Sequence, residues 1–213
     1  MEKTLEFLLN LKSNNNQTWF MDHIGEYERA KTEIGDLAYL LLEQLSPIDT
    51  RLNDEIEVER FISNLINFKP KKAITYNAFF EIAISPLAND GNEPVYLVHI
   101  EPGLNYISVK YDPDIFGLQV MRSYISKHAE EFDRILQDSY SSGFNLVQSS
   151  SLSALPKGYP VGIPGEAYIK LQQYELKSPI ELLKTKDELI RDITLSFSTV
   201  LPVIQFLRKG LGL

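Results

Sequence analysis

Three apolar segments separated by turn signals occupy the middle of the chain, and this arrangement restricts the fold more than any other feature. The segments are 78–85 (AFFEIAIS), 95–101 (VYLVHIE) and 106–111 (YISVKY), all rich in β-branched and aromatic residues. Asn89-Asp90-Gly91-Asn92 separates the first two segments, and Pro102-Gly103 separates the last two. Because a parallel pair needs a long crossover, strands joined this closely pair antiparallel. The region therefore predicts a three-stranded antiparallel meander.

Helical patterns flank the meander on both sides. Apolar residues recur at three- and four-residue steps over 4–11 and over 19–45, where Ser46-Pro47 is expected to end the helix. Towards the C-terminus, a capping box over 185–188 precedes an apolar stripe that runs to Gly210, the expected helix stop. Both ends of the chain are therefore predicted to be helical.

Shorter signals lie between the meander and the C-terminal helix. Asp112-Pro113-Asp114 has the acidic cap and early proline of a helix start, and helical patterns follow over 115–125 and 127–136. Residues 144–147 and 174–177 favour short strands. Since strands do not alternate regularly with helices, the sequence predicts an α+β fold. Its antiparallel sheet has about four to six strands in the middle of the chain, covered by long N- and C-terminal helices.

The composition is that of a soluble globular protein. The chain has 213 residues, of which 44% are hydrophobic and 23% are charged, and this length suffices for a complete core. No composition shift or internal repeat divides it, so a single domain over 1–213 is predicted. The absence of cysteine excludes disulfides, thiolate metal sites and a thiol nucleophile. The net charge of −8 disfavours nucleic acid as a partner, because nucleic acids are bound through basic surfaces.

The N-terminal segment lacks the pattern of a secretion signal. Glu6, Asn10 and Lys12 interrupt its apolar positions, whereas a signal peptide needs about seven or more apolar residues in a row. Apolar stretches elsewhere, such as 37–42 and 95–100, are far shorter than the roughly 20 residues that span a membrane. The sequence therefore predicts a cytoplasmic protein with no membrane partner.

Motifs for the common catalytic and cofactor sites are missing from the sequence. It contains no G-x-S-x-G nucleophile elbow, no phosphate-binding glycine loop and no histidine pair at metal-ligand spacing, so no catalytic residue, metal or cofactor is predicted. One suggestive pair is His99 and Glu101, which lie two residues apart on a predicted strand and therefore face the same side. The pair fits either a base–acid couple or a strand histidine hydrogen-bonded to a neighbour.

A basic and aromatic segment over 68–76 is a further candidate. Lys69, Lys71 and Lys72 lie here between two aromatic residues, Phe68 and Tyr76. Such interleaving fits a stacking site for single-stranded nucleic acid, and it fits equally a solvated loop. Because the chain as a whole is acidic, the solvated loop is the preferred interpretation.

The segment Pro156-Lys157-Gly158-Tyr159-Pro160 forms a stiff loop, because its prolines fix the backbone. Stiff loops held over a rigid sheet commonly carry binding residues. We therefore predict that this loop converges with the sheet face bearing His99, with Lys157 or Tyr159 within reach of that face. The alternative is that Tyr159 packs on the core with its hydroxyl at the surface.

An ordered set of short motifs runs along almost the whole chain. The matching positions, in order, are Leu8, Leu11, Asn14, Asn15, Asn16, Trp19, Phe20 and Tyr27, then Tyr96 and 99–103, then Pro113, Arg122 and Ile125, then 130–132, then 156–159, and finally Pro202, Val203, Phe206 and Leu207. Together they resemble the family of conserved hypothetical proteins called domain of unknown function 2461. The resemblance implies a shared fold, but no established activity, cofactor or partner comes with it.

The chain departs from this family in the family's most characteristic block, R-x-x-R-D-x-R-F-S-x-D-K-x-P-Y-K. Residues 60–75 read RFISNLINFKPKKAIT here, so Arg60 and Lys71 are retained. Ser63 and Asn64 replace the second arginine and its aspartate, and Pro70 replaces the later aspartate. If the charged block is the family's working site, this member has lost most of it.

Two functional hypotheses follow. The preferred one is a non-catalytic binding or scaffold protein, which predicts a sheet face without converging titratable groups. The alternative is an enzyme or small-molecule binder with a pocket for a small anion such as a phosphate, since arginine forks match phosphate oxygens. Candidate ligand-binding residues are Arg60, Lys71, His99, Glu101, Arg122, Lys157 and Tyr159, with Lys110, Tyr76 and Tyr168 as further members of the anion pocket.

Overall fold

An antiparallel sheet of five strands occupies the middle of the chain in the computed structural model, which describes residues 1–52, 58–63, 66–67, 75–86 and 93–213. The strands of the described residues are β1 (Ile66–Asn67), β2 (Thr75–Tyr76), β3 (Phe80–Ile84), β4 (Val95–Ile100), β5 (Tyr106–Tyr111), β6 (Asn145–Leu146) and β7 (Tyr174–Pro179). The large sheet has the order β3-β4-β5-β7-β6, and β1 pairs with β2 separately. The predicted meander and both predicted short strands are confirmed, while the predicted turn at 89–92 lies outside the described residues.

Helices precede and follow the sheet, as predicted for an α+β fold. Those of the described residues are α1 (Glu2–Ser13), α2 (Gln17–Asp22), α3 (Ile24–Leu45), α4 (Ile115–Lys127), α5 (Ala129–Ser141), α6 (Glu166–Ile169) and α7 (Lys186–Leu211), with a 3₁₀ turn at Val58–Phe61. The helix predicted over 19–45 is broken at His23, where α2 ends and α3 begins. The capping box of Thr185 and Glu188 is confirmed at the start of α7.

The predicted helix stop at Gly210 is wrong, because α7 continues to Leu211 and ends at Gly212. Gly212 has a φ of +76°, which a residue without a Cβ adopts at low cost. Gly210 has a different role: a Cβ there would lie 2.8 Å from the Tyr124 ring. The glycine therefore allows α4 and α7 to approach closely.

The sheet has two chemically different faces. Side chains alternate along each strand, so the register places Phe80, Tyr96 and Tyr174 on one face and Glu81 and His99 on the other. The first face packs against helices: Tyr27 of α3 lies 6.5 Å from Phe80, Phe197 of α7 lies 5.0 Å from Tyr96, and Phe132 of α5 lies 6.5 Å from Tyr174, measured between ring centroids. We call this the helix-covered face. The other, defined by Glu81, His99, Tyr106, Ser108 and Lys177, is the polar face.

The C-terminal helix α7 is the central helix of the core. Phe197, Val200 and Ile204 are fully buried, and the helix contacts α3, α4, α5 and β5. It is also the one helix of the described residues that is long and apolar enough to cross a membrane by length and composition. Nine of its residues are buried in the domain, among them Phe197 and Arg208, so the helix packs as part of the core.

A buried ion-pair network ties α7 to the rest of the core. Nη1 of Arg208 donates to both carboxylate oxygens of Asp49, at 2.8 and 2.7 Å, and Nε lies 3.5 Å from Glu93 Oε2. The Tyr96 hydroxyl donates to the same Asp49 at 3.0 Å, and Arg51 donates to Glu93 at 3.0 Å. Burial, together with the Asp49 carboxylate, raises the pKa of Tyr96 far above its usual range. The network therefore joins the turn after α3, the start of β4 and the end of α7.

The asparagine run between α1 and α2 anchors the chain to strand β2. Asn15 acts like a neighbouring strand: Nδ2 donates to the carbonyl of Tyr76 and Oδ1 accepts from its N–H, both at 2.7 Å. The Tyr76 ring stacks on Phe20 with centroids 4.0 Å apart. Asn16 caps α2 by accepting from the N–H of Trp19. These contacts give the Asn-Asn-Asn-x-x-Trp-Phe motif a structural role.

We expect Asn15→Ala to destabilise the protein by about 1–3 kcal/mol, because it leaves the peptide groups of Tyr76 without two hydrogen bonds. Asn14→Ala is the matched control, since the Asn14 side chain is exposed and bonds only to the carbonyl of Asn10. Urea denaturation of the two variants measures the difference. Equal midpoints would contradict the anchoring role.

Arg208→Met should destabilise the protein by about 3–5 kcal/mol, because the Asp49 and Glu93 carboxylates would stay buried without their main cation. Lys209→Met is the control, since that neighbouring side chain is 63% exposed. The free energy of unfolding from urea titration gives the comparison. A loss below about 1 kcal/mol would show that the network is not a determinant of stability.

Candidate functional site

A histidine between two carboxylates forms the densest group of ionisable side chains on the polar face. His99 Nδ1 lies 2.9 Å from Glu81 Oε1, and Nε2 lies 3.3 Å from Glu101 Oε2. Glu101 Oε1 in turn accepts from Lys12 Nζ of α1 at 2.9 Å. The spacing of His99 and Glu101 in the sequence predicts that they lie on the same face. Glu81 is 18 residues from His99 and Lys12 is 89 residues from Glu101, so no local pattern predicts these contacts. We call these four residues the His99 network.

Aromatic rings enclose His99, which is 5% exposed. Its ring stacks on Tyr106 with centroids 4.5 Å apart and an interplanar angle of 11°, and Phe79 lies at 4.8 Å. Lys177 Nζ sits 4.1 Å from the centroid of the Tyr106 ring, a cation–π contact. The histidine is thus held by rings as well as by carboxylates.

The carboxylate of Glu101 is held in its charged form by its partners. Burial alone would raise the pKa of Glu101, but the hydrogen bonds from Lys12 and His99 hold that pKa below its usual range. A lowered pKa means that the folded protein favours the ionised form, so the pair stabilises the fold wherever Glu101 is ionised.

The ionisable groups of the His99 network are occupied by contacts with one another, which disfavours a role for them in acid–base catalysis. A general base needs a nitrogen or oxygen within hydrogen-bond reach of the substrate. Both ring nitrogens of His99 already face carboxylates, and Glu101 faces Lys12. The prediction that no titratable groups converge on the sheet is therefore wrong, yet the groups that converge are paired with one another. Among the described residues, no three His, Asp or Glu side chains are arranged to hold a metal ion.

The candidate residues Arg122, Lys157 and Tyr159 do not join this network. Arg60 lies exposed on the 3₁₀ turn, and Lys71 lies outside the described residues. Arg122 is 9% exposed, and its guanidinium donates to the carbonyls of Ile169 and Leu171 at 2.8 and 3.1 Å. These bonds fix the chain around α6 to α4, which is a structural use of the arginine.

The predicted convergence of the 156–160 loop with His99 is wrong. Tyr159 packs half-buried against the hydrophobic core, whose sheet residues belong to the helix-covered face, and Lys157 is exposed. The loop is therefore on the opposite side of the sheet from His99. The prolines of the loop predict a rigid backbone, but they do not indicate which face of the sheet the loop covers. Tyr159 instead packs on the core, which is the second of the two interpretations of this loop.

The remaining members of the predicted anion pocket are engaged in separate places. The Tyr168 hydroxyl donates to Asp133 of α5 at 2.5 Å, and Lys110 lies 3.5 Å from Asp112. Tyr76 is 6% exposed beneath Phe20, so its ring is not available to stack on a nucleic-acid base. The structure does not assemble these groups into one pocket.

A cavity that sequence reasoning missed lies between α1, α3 and the start of α7. It has a volume of about 870 Å³, larger than the grooves between α5 and α6 (about 650 Å³) and between α3 and α7 (about 460 Å³). None of the three is lined by Glu81, His99 or Glu101. We call the large cavity the α1–α3 groove.

The lining of the α1–α3 groove combines an apolar floor with charges of both signs. The floor consists of Phe7, Ala30, Leu37 and Leu189, each 3% exposed or less. The acidic lining residues are Glu2, Glu6, Glu26, Glu33 and Asp36, and the basic ones are Lys3, Arg29, Lys184 and Lys186. The helical periodicity of 20–45 indicated a polar face here, but a groove also requires α1 as its second wall, which no local pattern predicts.

We expect the stabilising effect of the Glu101 pair to disappear in acid. The folded-state pKa lies below the unfolded one of about 4.3, so the contribution is present above the unfolded value and is lost as pH falls from there through the folded one. Over this range, wild type should lose more unfolding free energy than Glu101→Gln. Glu130→Gln, at an exposed carboxylate, is the control and should follow wild type. Parallel curves for wild type and Glu101→Gln would contradict the coupling.

Comparison with known proteins gives a family and no closer functional assignment. No curated protein and no solved structure matches the chain. The family model described as Conserved hypothetical protein (DUF2461) matches residues 3–206, in agreement with the order of motifs read from the sequence. Because the match covers nearly the whole chain, the protein belongs to the DUF2461 family of conserved hypothetical proteins.

Proposed function

We propose that this protein is a non-catalytic binding protein whose ligand occupies the α1–α3 groove. The main support is that the cavity and the cluster of ionisable groups lie in different parts of the molecule, whereas an active site has both in one place. The concave space lies between helices, and the cluster of ionisable groups lies on the polar face of the sheet. An enzyme needs its acid, base or nucleophile at the wall of the pocket that holds the substrate.

The His99 network supports the non-catalytic part of the proposal. Its ion pairs satisfy one another, and the aromatic rings of Phe79 and Tyr106 lie against the imidazole. Such a closed arrangement stabilises the sheet and the contact of α1 with β4 through Lys12 and Glu101. In this role His99 is the strand histidine hydrogen-bonded to its neighbours, the simpler of the two sequence interpretations.

The α1–α3 groove supports the binding part. Small-molecule sites commonly have volumes of about 300–1,000 Å³. The groove is in that range, and its floor residues belong to the rigid core. The absence of cysteine and the charged surface agree with a single domain that works in the cytoplasm.

A thermal-shift screen tests this function directly. The panel contains phosphates, nucleotides and sugar phosphates, which the anion-pocket alternative requires, beside neutral and zwitterionic metabolites. A ligand at about one hundred times its Kd stabilises the folded state by about 2.7 kcal/mol, which for a chain of this length is about 5–10 °C in Tm. We expect at least one such shift.

Two further measurements separate binding from catalysis. After incubation, NMR should show the ligand chemically unchanged, and turnover would contradict a non-catalytic role. Glu81→Gln weakens the His99 network but lies outside the groove, so the ligand-induced shift should be the same in this variant. Loss of the shift in Glu81→Gln would place the ligand on the polar face and overturn the proposed site.

A further inference from the structure

We propose that two copies of this chain associate through the groove between α3 and α7, with their α7 helices antiparallel about a two-fold axis. We call this groove, which has a volume of about 460 Å³, the α3–α7 groove. It shares no lining residue with the α1–α3 groove, so the inference goes beyond the proposed function and does not depend on the ligand.

Apolar side chains that are exposed to solvent line the α3–α7 groove. Leu195 of α7 is 65% exposed and Ile48, just after α3, is 38% exposed, with Leu40 and Ile190 half-buried in the same lining. Covering these side chains removes apolar surface from water. A contiguous exposed apolar patch is characteristic of an interaction surface.

The composition of α7 also indicates a partner on its outer side. Its most apolar stretch of 18 residues is apolar enough to cross a membrane, yet only 39% of that stretch is buried in the domain. A surface helix normally places charged and polar residues opposite its core face, whereas a helix that is apolar all round is covered all round. The outer side of α7 is therefore the surface that a partner covers.

Two charged residues line the groove, and their charges are opposite in sign. Asp187 and Arg191 lie four positions apart on α7, so they share one face of the helix with Ile190. They do not pair with each other. Arg191 Nη2 lies 3.4 Å from Asp192 and its side chain is 69% exposed, while Asp187 makes no ion pair with any described residue. Both charges are therefore placed to contact a partner.

The two charges select one orientation of the second copy. If the α7 helices were parallel, Asp187 would face the partner's Asp187 and Arg191 would face the partner's Arg191, and both contacts would be repulsive. About an axis midway between the two residues, antiparallel helices place each Asp187 opposite the partner's Arg191, which gives two reciprocal ion pairs. The same axis brings the two Ile190 side chains together. Leu195 lies six positions, about 9 Å, from this axis.

The size of the surface predicts a weak dimer. The groove extends along α7 from Asp187 to Ser198, which is about 16 Å at 1.5 Å per residue. Stable interfaces bury about 1,600 Å² in total, and a face made of two short helix segments is smaller than this. We therefore expect monomer and dimer to exchange reversibly at micromolar concentrations.

Sedimentation velocity of the full chain over about 1–500 µM measures the association. We expect the mean mass to rise with concentration from the 24.4 kDa of one chain towards twice that value. Leu195→Glu should raise the dimer Kd by about tenfold or more, because it places a charge in the apolar contact. Val120→Glu is the control, since Val120 is 47% exposed on α4, and it should leave Kd unchanged.

A charge-reversal experiment tests the orientation of the two copies. Asp187→Arg and Arg191→Asp should each raise Kd by about fivefold or more, because each variant places like charges opposite one another. An equimolar mixture of the two variants should associate as wild type does, since every arginine then faces an aspartate. Asp187 is also a first-turn carboxylate that favours the dipole of α7. Mixing leaves that effect unchanged, so recovery in the mixture reports the contact between copies.

Four outcomes would overturn the inference: the mass of one chain at every concentration, an unchanged Kd in Leu195→Glu, an equal effect of Val120→Glu, or a mixture that associates no better than either charge variant alone. Circular dichroism of each variant checks that the fold is retained. Flotation with vesicles of phosphatidylcholine and phosphatidylglycerol tests the other class of partner. If wild type binds these vesicles, Leu195→Glu does not, and the mass stays that of one chain, the outer side of α7 is a membrane-binding surface and the dimer is wrong.

Discussion

The buried pairing of Arg208 with Asp49 and Glu93 is the interaction on which the arrangement of the other parts depends. Charges this deep are tolerated only when they are paired, so the end of α7, the turn after α3 and the start of β4 must meet at one point. Apolar contact is not directional, whereas a buried ion pair specifies which residues must meet. The network fixes the position of α7, and with it the start of that helix, where Lys184 and Lys186 complete the α1–α3 groove.

This placement gives the molecule two polar regions with different chemistry. On the polar face, His99 lies between Glu81 and Glu101, Glu101 also pairs with Lys12, and the Tyr106 ring stacks on His99. Groups that are already matched gain little from a further ligand, since binding would have to break contacts of similar strength. In the α1–α3 groove Glu33 and Lys184 are also paired, with the N-terminal ammonium and with Asp192, whereas Glu26 lines the groove without an ion-pair partner among the described residues. The groove therefore combines open space with a carboxylate that has no ion-pair partner among the described residues.

Elements and contacts that depend on local sequence patterns could be predicted. Contacts between segments that are distant in the chain could not. The strands, the capping box of α7 and the pairing of His99 with Glu101 follow from periodicity and short spacing, and they are confirmed. Glu81 reaches His99 only through the register of β3 with β4, and Lys12 reaches Glu101 only through the packing of α1. Arg122 is a candidate for the anion pocket because arginine forks match phosphate oxygens, whereas in the structure its guanidinium donates to two backbone carbonyls of the chain around α6.

The motifs that identify the family are mainly determinants of its fold. Asn15 and Phe20 hold Tyr76, and Asn16 caps α2, so the start of the family pattern is explained by structure alone. The segment 60–75, which the resemblance predicts to differ most from the family, ends at strand β2, where Asn15 binds Tyr76. Family membership therefore fixes the architecture of this protein, and its ligand has to be inferred from the surfaces that this particular chain presents.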